Sequence, residues 1–175
     1  MKKDLNKKNI IVPKIKSGLV LRCSKHLFLV RSENEDIECR IKGKTLKNET
    51  SFYNALAPGD KVLFSDKQIL ELEERKNIFS RYNQKGRAVQ LIAANVDYVL
   101  CVTCPSSPPF RPRFIDRVLI QAEHSEIPAA IVCNKYDLSS DPEYDNNDDI
   151  LDMEERLSDF EKIGYPVFYR YPIAI

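Results

Sequence analysis

The hydrophobic period changes part-way along the chain, and a fold of one layer type cannot satisfy both halves. Between Ser17 and Glu74 the apolar residues fall in short runs separated by turn residues, and segments 18–22, 26–30, 37–41, 61–64 and 69–72 read as five strands. The third is clearest, with Ile37, Cys39 and Ile41 facing one way and Glu38, Arg40 and Lys42 the other. Gly43 ends that strand and Pro58-Gly59-Asp60 turns the chain into the fourth. Five short strands in about 60 residues, with the longest connection after the third, predict a small barrel of the oligonucleotide/oligosaccharide-binding (OB) type. An SH3-like barrel is the alternative.

Residues 74–91 are polar and hold no apolar period, so the domain boundary is placed there. Beyond it, 96–103 reads as a strand closed by a Pro-rich loop at 105–109. Residues 113–124 then read as a helix, with Phe114, Ile115, Val118, Leu119 and Ala122 at three- and four-residue spacing. A continuous apolar run at 128–133 reads as a buried parallel strand, completing a right-handed βαβ unit. Ile150, Met153, Leu157 and Phe160 continue at helical spacing, Gly164 suits the end of that helix, and 166–169 begins another strand. The layout is a tail at 1–16, a barrel at 17–74, a linker at 75–92 and an α/β domain at 93–175.

A net charge of +1 over 175 residues conceals an asymmetry: residues 1–48 hold 13 Lys and Arg against 5 acids, leaving −7 for the remainder. Arg22, Lys25, Arg40, Lys42, Lys44 and Lys47 fall on or between the barrel strands, a charge pattern that points to a nucleic-acid surface. Phe28, Phe52 and Tyr53 are stacking candidates, although barrel core is the commoner use of a Phe there. The ten acids between Asp141 and Glu161 lack the spacing and central Gly of a calcium loop and read as a solvated face. Five cysteines without a secretory signal point to free thiols in a reducing, cytoplasmic setting. Cys101 and Cys104 have the spacing of half a zinc site, but with no second pair and both histidines far away in sequence, burial explains them and no metal site is assigned. No apolar run has the length of a membrane span.

Asn134-Lys135-Tyr136-Asp137 follows the 128–133 run, at the end of a strand where open α/β sheets bind ligands. An Asp carboxylate there accepts two parallel hydrogen bonds from the N1–H and exocyclic amine of guanine, and adenine cannot supply that pair. The Lys stem can lie along the ring, and the Asn amide can fix the loop or reach the base edge.

In order and spacing, these parts resemble the first half of the bacterial ribosome small-subunit-dependent GTPases, a circularly permuted family. The resemblance rests on Gly18-Leu19-Val20, the stretch from Cys39 to Lys44, Pro58-Gly59-Asp60, Glu74-Arg75-Lys76-Asn77, the stretch from Ala93 to Asp97, Phe114-Ile115-Asp116-Arg117, Asn134-Lys135-Tyr136-Asp137 and Gly164-Tyr165-Pro166-Val167. It implies an OB-type barrel followed by an incomplete, circularly permuted P-loop GTPase domain of Rossmann-like α/β class. It further implies GTP or GDP with magnesium as ligands, and the small ribosomal subunit with its rRNA as partner. By the same resemblance Asn134, Lys135 and Asp137 are guanine-binding, with Asn134 bracing the loop. The family's zinc module belongs to its C-terminal part, outside these residues. A second guanine-contacting motif, Ser-Ala, is expected near 170–171, where this chain has Arg170-Tyr171. No Gly-x-x-x-x-Gly-Lys-Ser/Thr segment occurs in the 175 residues, so no catalytic residue is assigned. The chain is read as a truncated member that does not hydrolyse GTP alone, whose strand at 97–103 has an open edge and takes a complementing C-terminal GTPase fragment. The alternative is a nucleotide-independent rRNA-binding OB module.

Overall fold

The computed structural model describes residues 14–43, 46, 52–106, 108–140 and 147–171. Their contacts form two units, one within Met1–Arg75 and Tyr82–Ala93, the other within Lys76–Arg81 and Ala94–Ile175.

The first unit contains β1 (Lys16–Ser24), β2 (Leu27–Ser32), β3 (Glu35–Ile41), β4 (Lys61–Ser65) and β5 (Gln68–Leu72), closed in the order β1-β2-β3-β5-β4. All pairings are antiparallel except β3 with β5. Alternation drives closure: Val20, Val30, Cys39, Val62 and Ile69 point inward and are at most 1% exposed, each Val or Ile contributing about 1.5–3 kcal/mol on burial. Leu46, Leu56 and the Phe28 ring fill the rest of this core. Phe28 is thus core rather than a stacking surface, while Tyr53 is 58% exposed. Register irregularities at Val20/Arg22 and Leu63/Phe64 interrupt pairing where strands of a small barrel must bend. At Gly18 the strand passes so close to Val30 and Phe64 that a Cβ would lie 2.4 Å from Val30 Cγ1.

Two motifs distant in sequence meet in one buried ion pair. Asp60 is fully buried; its carboxylate takes Arg75 Nε–H at 2.7 Å and a second guanidinium N–H at 2.8 Å, and accepts the Ala57 N–H at 2.8 Å. The remaining guanidinium hydrogen bond goes to the Ala55 carbonyl at 3.1 Å. The connection read as a turn is therefore bolted to the start of the polar connector.

That connector is not structureless. It forms β6 (Ile78–Asn83) and β7 (Ala88–Ala94), a two-stranded sheet. Its residues are mostly half-buried or exposed, so they carry no apolar period for a sequence reading to detect.

The second unit holds β8 (Val99–Thr103), α1 (Pro112–His124), β9 (Ala129–Asn134), α2 (Asn147–Lys162) and β10 (Val167–Arg170). The strands are parallel in the order β10-β9-β8. Pro112 at the first helical position suits α1, since its missing N–H would be unpaired there anyway. Ile115, Leu119 and Ala122 of α1 and Met153, Leu157 and Phe160 of α2 share one core with Cys101, Ala129, Ile131 and Cys133. Gly164 adopts φ +104° and ends α2 in the left-handed conformation.

Strand β8 starts later than the 96–103 reading, because 95–97 is engaged elsewhere. Asn77 donates from Nδ2 to the Val96 carbonyl and accepts the Val96 N–H, both at 2.8 Å. Asn95 Oδ1 takes the Lys76 N–H at 2.8 Å. The Asn77 amide thus satisfies the Val96 backbone groups that a longer strand would have paired. Cys101 and Cys104 are buried free thiols, Cys104 Sγ lying 3.1 Å from the Pro108 carbonyl. Among the described residues no helix is long and apolar enough to cross a membrane, and no group of three or more metal-ligating side chains occurs.

Candidate functional site

Parallel pairing sets the carboxyl ends of the three strands side by side. Thr103 lies in register with Cys133, and Arg170 with Asn134, so the loops after β8, β9 and β10 open at one end of the sheet. The loop after β9 carries the tetrapeptide. Asn134 is its last strand residue and is half-buried, Lys135 turns the chain at φ +55°, and a 3-10 helix, Tyr136–Ser140, begins immediately. A left-handed lysine is costly in an L-residue chain, so the neighbourhood must hold it there.

It is held by Tyr136. The phenol hydrogen-bonds Glu154 Oε1 of α2, and the ring meets Tyr169 edge-on at 4.8 Å and Tyr171 at 5.7 Å. Burial, then the bond to Glu154, raises the phenol pKa well above its usual value. The Leu138 N–H closes on the Lys135 carbonyl at 3.1 Å, and Ser139 Oγ–H on the Tyr136 carbonyl at 2.7 Å. Tyr136 is the variable position of the motif, and its partners lie 18 to 35 positions away. Nothing local in the sequence marks them.

Asn134 and Lys135, with Val102, Thr103, Cys104 and Pro108, line a cleft of about 230 Å³. Asp137, on the 3-10 helix, is not among the residues lining it and is exposed. Among the described residues, none of the three polar side chains has an intramolecular hydrogen bond or ion pair. The tetrapeptide therefore presents an amide and an ammonium at the cleft and a carboxylate on the turn that follows, none of them paired among the described residues. This donor and acceptor set fits a guanine base. It does not fit the phosphates or magnesium: of the five glycines, Gly18, Gly43, Gly59, Gly86 and Gly164, none stands in a phosphate-loop pattern. Arg170 and Tyr171 end the neighbouring strand at the place of the expected Ser-Ala pair, next to Asn134 in register.

On the barrel, Arg22, Lys25, Arg40 and Lys42 are all exposed, while Lys44 and Lys47 lie outside the described residues. The fold brings Arg40 and Lys42 together with Lys67 of the β4–β5 turn and Gln68 at the start of β5 in a groove of about 470 Å³, which Glu38 and Asp66 also line. Arg22 and Lys25 do not line it. Lys67 was not legible in the sequence, because only the parallel pairing of Arg40 with Gln68 brings it there.

The sequence model of the RsgA GTPase family matches residues 72–171, more than half of the chain. This protein belongs to the RsgA GTPase family. Similar RsgA proteins, each named a small ribosomal subunit biogenesis GTPase, include that of Chlorobaculum parvum, 33% identical over 141 residues, which span 71% of this chain and 45% of that protein. The RsgA of Bacteroides fragilis (strain YCH46) is 31% identical over 158 residues, 86% of this chain and 49% of the relative. Among solved structures, YjeQ from Thermotoga maritima superposes with a TM-score of 0.60 at 25% identity, over 90% of this chain and 52% of that one. YloQ, a circularly permuted GTPase, gives 0.56 at 23% identity over 91% and 52%, a likeness of fold. The RsgA-type architecture of a closed five-stranded barrel followed by an α/β region is thus shared. This chain spans about half the length of the curated relatives it matches.

Proposed function

We propose that this chain is the base-reading part of a small-subunit biogenesis GTPase, in which Asp137 pairs with the guanine edge, Lys135 covers the ring and Asn134 lines the base cleft. The observation that carries the reading is the placing of Asn134 and Lys135 on a cleft at the carboxyl end of a parallel sheet, with Asp137 exposed on the 3-10 helix that follows and all three side chains unpaired among the described residues. In this reading residues 17–74 are the barrel, 93–175 the guanine-reading domain, and the work is done in the cytoplasm on the small ribosomal subunit. The reading covers recognition of the base, since the 175 residues contain no Gly-x-x-x-x-Gly-Lys-Ser/Thr phosphate loop.

The reading is tested by titrating a fluorescent guanine nucleotide into the full chain. Base contacts worth a few kcal/mol correspond to about millimolar affinity. Guanine should be preferred over adenine by tenfold or more, and Asp137→Ala should remove that preference. Asp137→Asn should favour xanthine, whose 2-oxo group accepts the hydrogen bond that the Asn amide donates. Equal binding of adenine and guanine nucleotides would sink the assignment, and micromolar binding to the chain alone would contradict the missing phosphate site.

A second reading, RNA binding by the barrel, draws support from the groove that gathers Arg40, Lys42 and Lys67 beside Gln68, on the β3 and β4–β5 side that OB folds use for oligonucleotides. Reversing those three charges should weaken single-stranded RNA binding and lower its salt slope by about 2. An unchanged slope would remove the groove from consideration.

A further inference from the structure

Two cavities open at the carboxyl end of the sheet, and they share a wall. Val102, Thr103 and Pro108 line both the cleft of about 230 Å³ that holds Asn134 and Lys135 and a larger one of about 700 Å³, formed by the end of β8, the loop after it and the start of α1. The larger cleft is basic. Arg111, at the N-terminal boundary of α1, and Arg113 and Arg117, four residues apart on it, all line the cavity, and no Asp or Glu does. All three are exposed, and among the described residues none of their guanidinium groups has a hydrogen bond or ion pair. Asp116, next to Arg117 in sequence, is taken up by Arg156, which lies 3.2 Å from both carboxylate oxygens. The barrel groove, by contrast, mixes its cations with Glu38 and Asp66. This arrangement breaks two local rules at once. Cations are disfavoured near a helix N-terminus, and like charges four residues apart destabilise a helix. Such conflicts are expected where a ligand resolves them, and here the ligand must be an anion.

We infer that the cleft of Arg111, Arg113 and Arg117 takes the phosphate chain of a guanine nucleotide whose base lies at Asn134 and Lys135, an assignment that rests on the base reading above. The tetrapeptide has nothing to offer a phosphate, and the cavity beside it does. Guanidinium forks match phosphate oxygens two at a time, so side chains supply here the donors that a glycine-rich loop supplies from its backbone. The shared wall makes the two cavities neighbours, and a ribose crossing Thr103 and Pro108 would carry the phosphates from the first to the second. Pro108, Pro109 and Pro112 fix φ along that wall, so its shape is set before the ligand arrives.

The test titrates the full chain with guanosine, GTP, adenosine and ATP, magnesium being chelated, and follows backbone amide shifts by NMR, a readout suited to weak binding. GTP should bind about tenfold more tightly than guanosine, a ratio that falls as salt rises. GTP and inorganic triphosphate should shift the amides of Arg113 and Arg117, whereas guanosine should move those of Asn134 and Lys135. Arg111→Gln with Arg113→Gln and Arg117→Gln should bring the ratio to about one. Lys61→Gln with Lys85→Gln and Lys162→Gln, an equal loss of charge at other exposed positions, should keep it. Because all of these positions are exposed, circular dichroism of both variants should match the parent. Equal affinity for GTP and guanosine in the parent, a ratio that the arginine changes leave intact, or triphosphate shifts confined to the barrel would overturn the proposal. So would single-stranded RNA binding that needs the arginines while GTP binding does not. ATP should gain over adenosine as GTP does over guanosine, because the arginines read phosphate. Equal affinity for GTP and ATP with that gain intact would count against the base reading alone.

Discussion

Replacing Arg75 with Met tests the link between the two ends of the barrel connection. The Asp60 carboxylate has no solvent exposure and Arg75 only 13%. Three hydrogen bonds satisfy the carboxylate, two of them from Arg75 at 2.7 and 2.8 Å. Removing the guanidinium leaves a buried anion with one backbone N–H, a situation that costs about 3–5 kcal/mol. A unit of roughly 90 residues has about 4–13 kcal/mol in total, so the variant should be close to unfolding. Native-state hydrogen exchange at the amides of Val30, Cys39, Val62 and Ile69 reads this directly, and protection should fall about 10²- to 10⁴-fold. Adding Asp60→Asn removes the stranded charge while keeping an acceptor for the Ala57 N–H, so the double variant should regain more than 1 kcal/mol over Arg75→Met. A loss below about 1 kcal/mol in the single variant, or strict additivity in the double, would refute the claim that charge burial is what makes this pair matter.

Gly18→Ala should cost about 1–3 kcal/mol in urea denaturation, because the added Cβ meets Val30 Cγ1 at 2.4 Å and the Arg31 carbonyl at 3.0 Å inside a closed barrel. Tyr136→Phe should cost about 0.5–1.5 kcal/mol and speed exchange of the Leu138 amide, the ring contacts remaining in place. Stability should be flat from pH 6 to 8.5 and fall at high pH. Burial pushes the Cys101 and Cys133 thiols from 9.0 up to about 11 and raises Tyr136 from 10.0. The folded state therefore holds these protons more tightly than the unfolded chain. The thiol contribution is complete below pH 9 and drains away as pH rises toward 11, and that of Tyr136 declines from pH 10 upward, each group adding up to about 1.4 kcal/mol per pH unit. Urea midpoints measured across pH 7–11 check this, and Cys133→Ala should flatten the slope between pH 9 and 11.

The elements most legible in the sequence were those whose burial pattern is periodic. Alternation at Ile37, Cys39 and Ile41 placed β3, and the run at 128–133 placed β9 within one residue, because a side chain's face follows directly from its position along the strand. The hairpin of β6 and β7 escaped notice because half-buried strands leave no such period. Length misled at 96–98, where the Asn77 amide takes up the Val96 backbone groups that a longer β8 would have used.

The guanine-type tetrapeptide was readable as letters, since its residue types, their spacing and the strand before them are all local. Its working geometry was not. The left-handed turn at Lys135 is held by Tyr136 against Glu154, Tyr169 and Tyr171, contacts that exist only once α2 and β10 have packed. The same holds for Asp60 with Arg75, and for Lys67 joining Arg40 and Lys42. Local pattern settled which elements form and which residues carry the chemistry, because both depend on near neighbours along the chain. Which of those residues meet depended on strand order and crossover direction, which no window of sequence encodes.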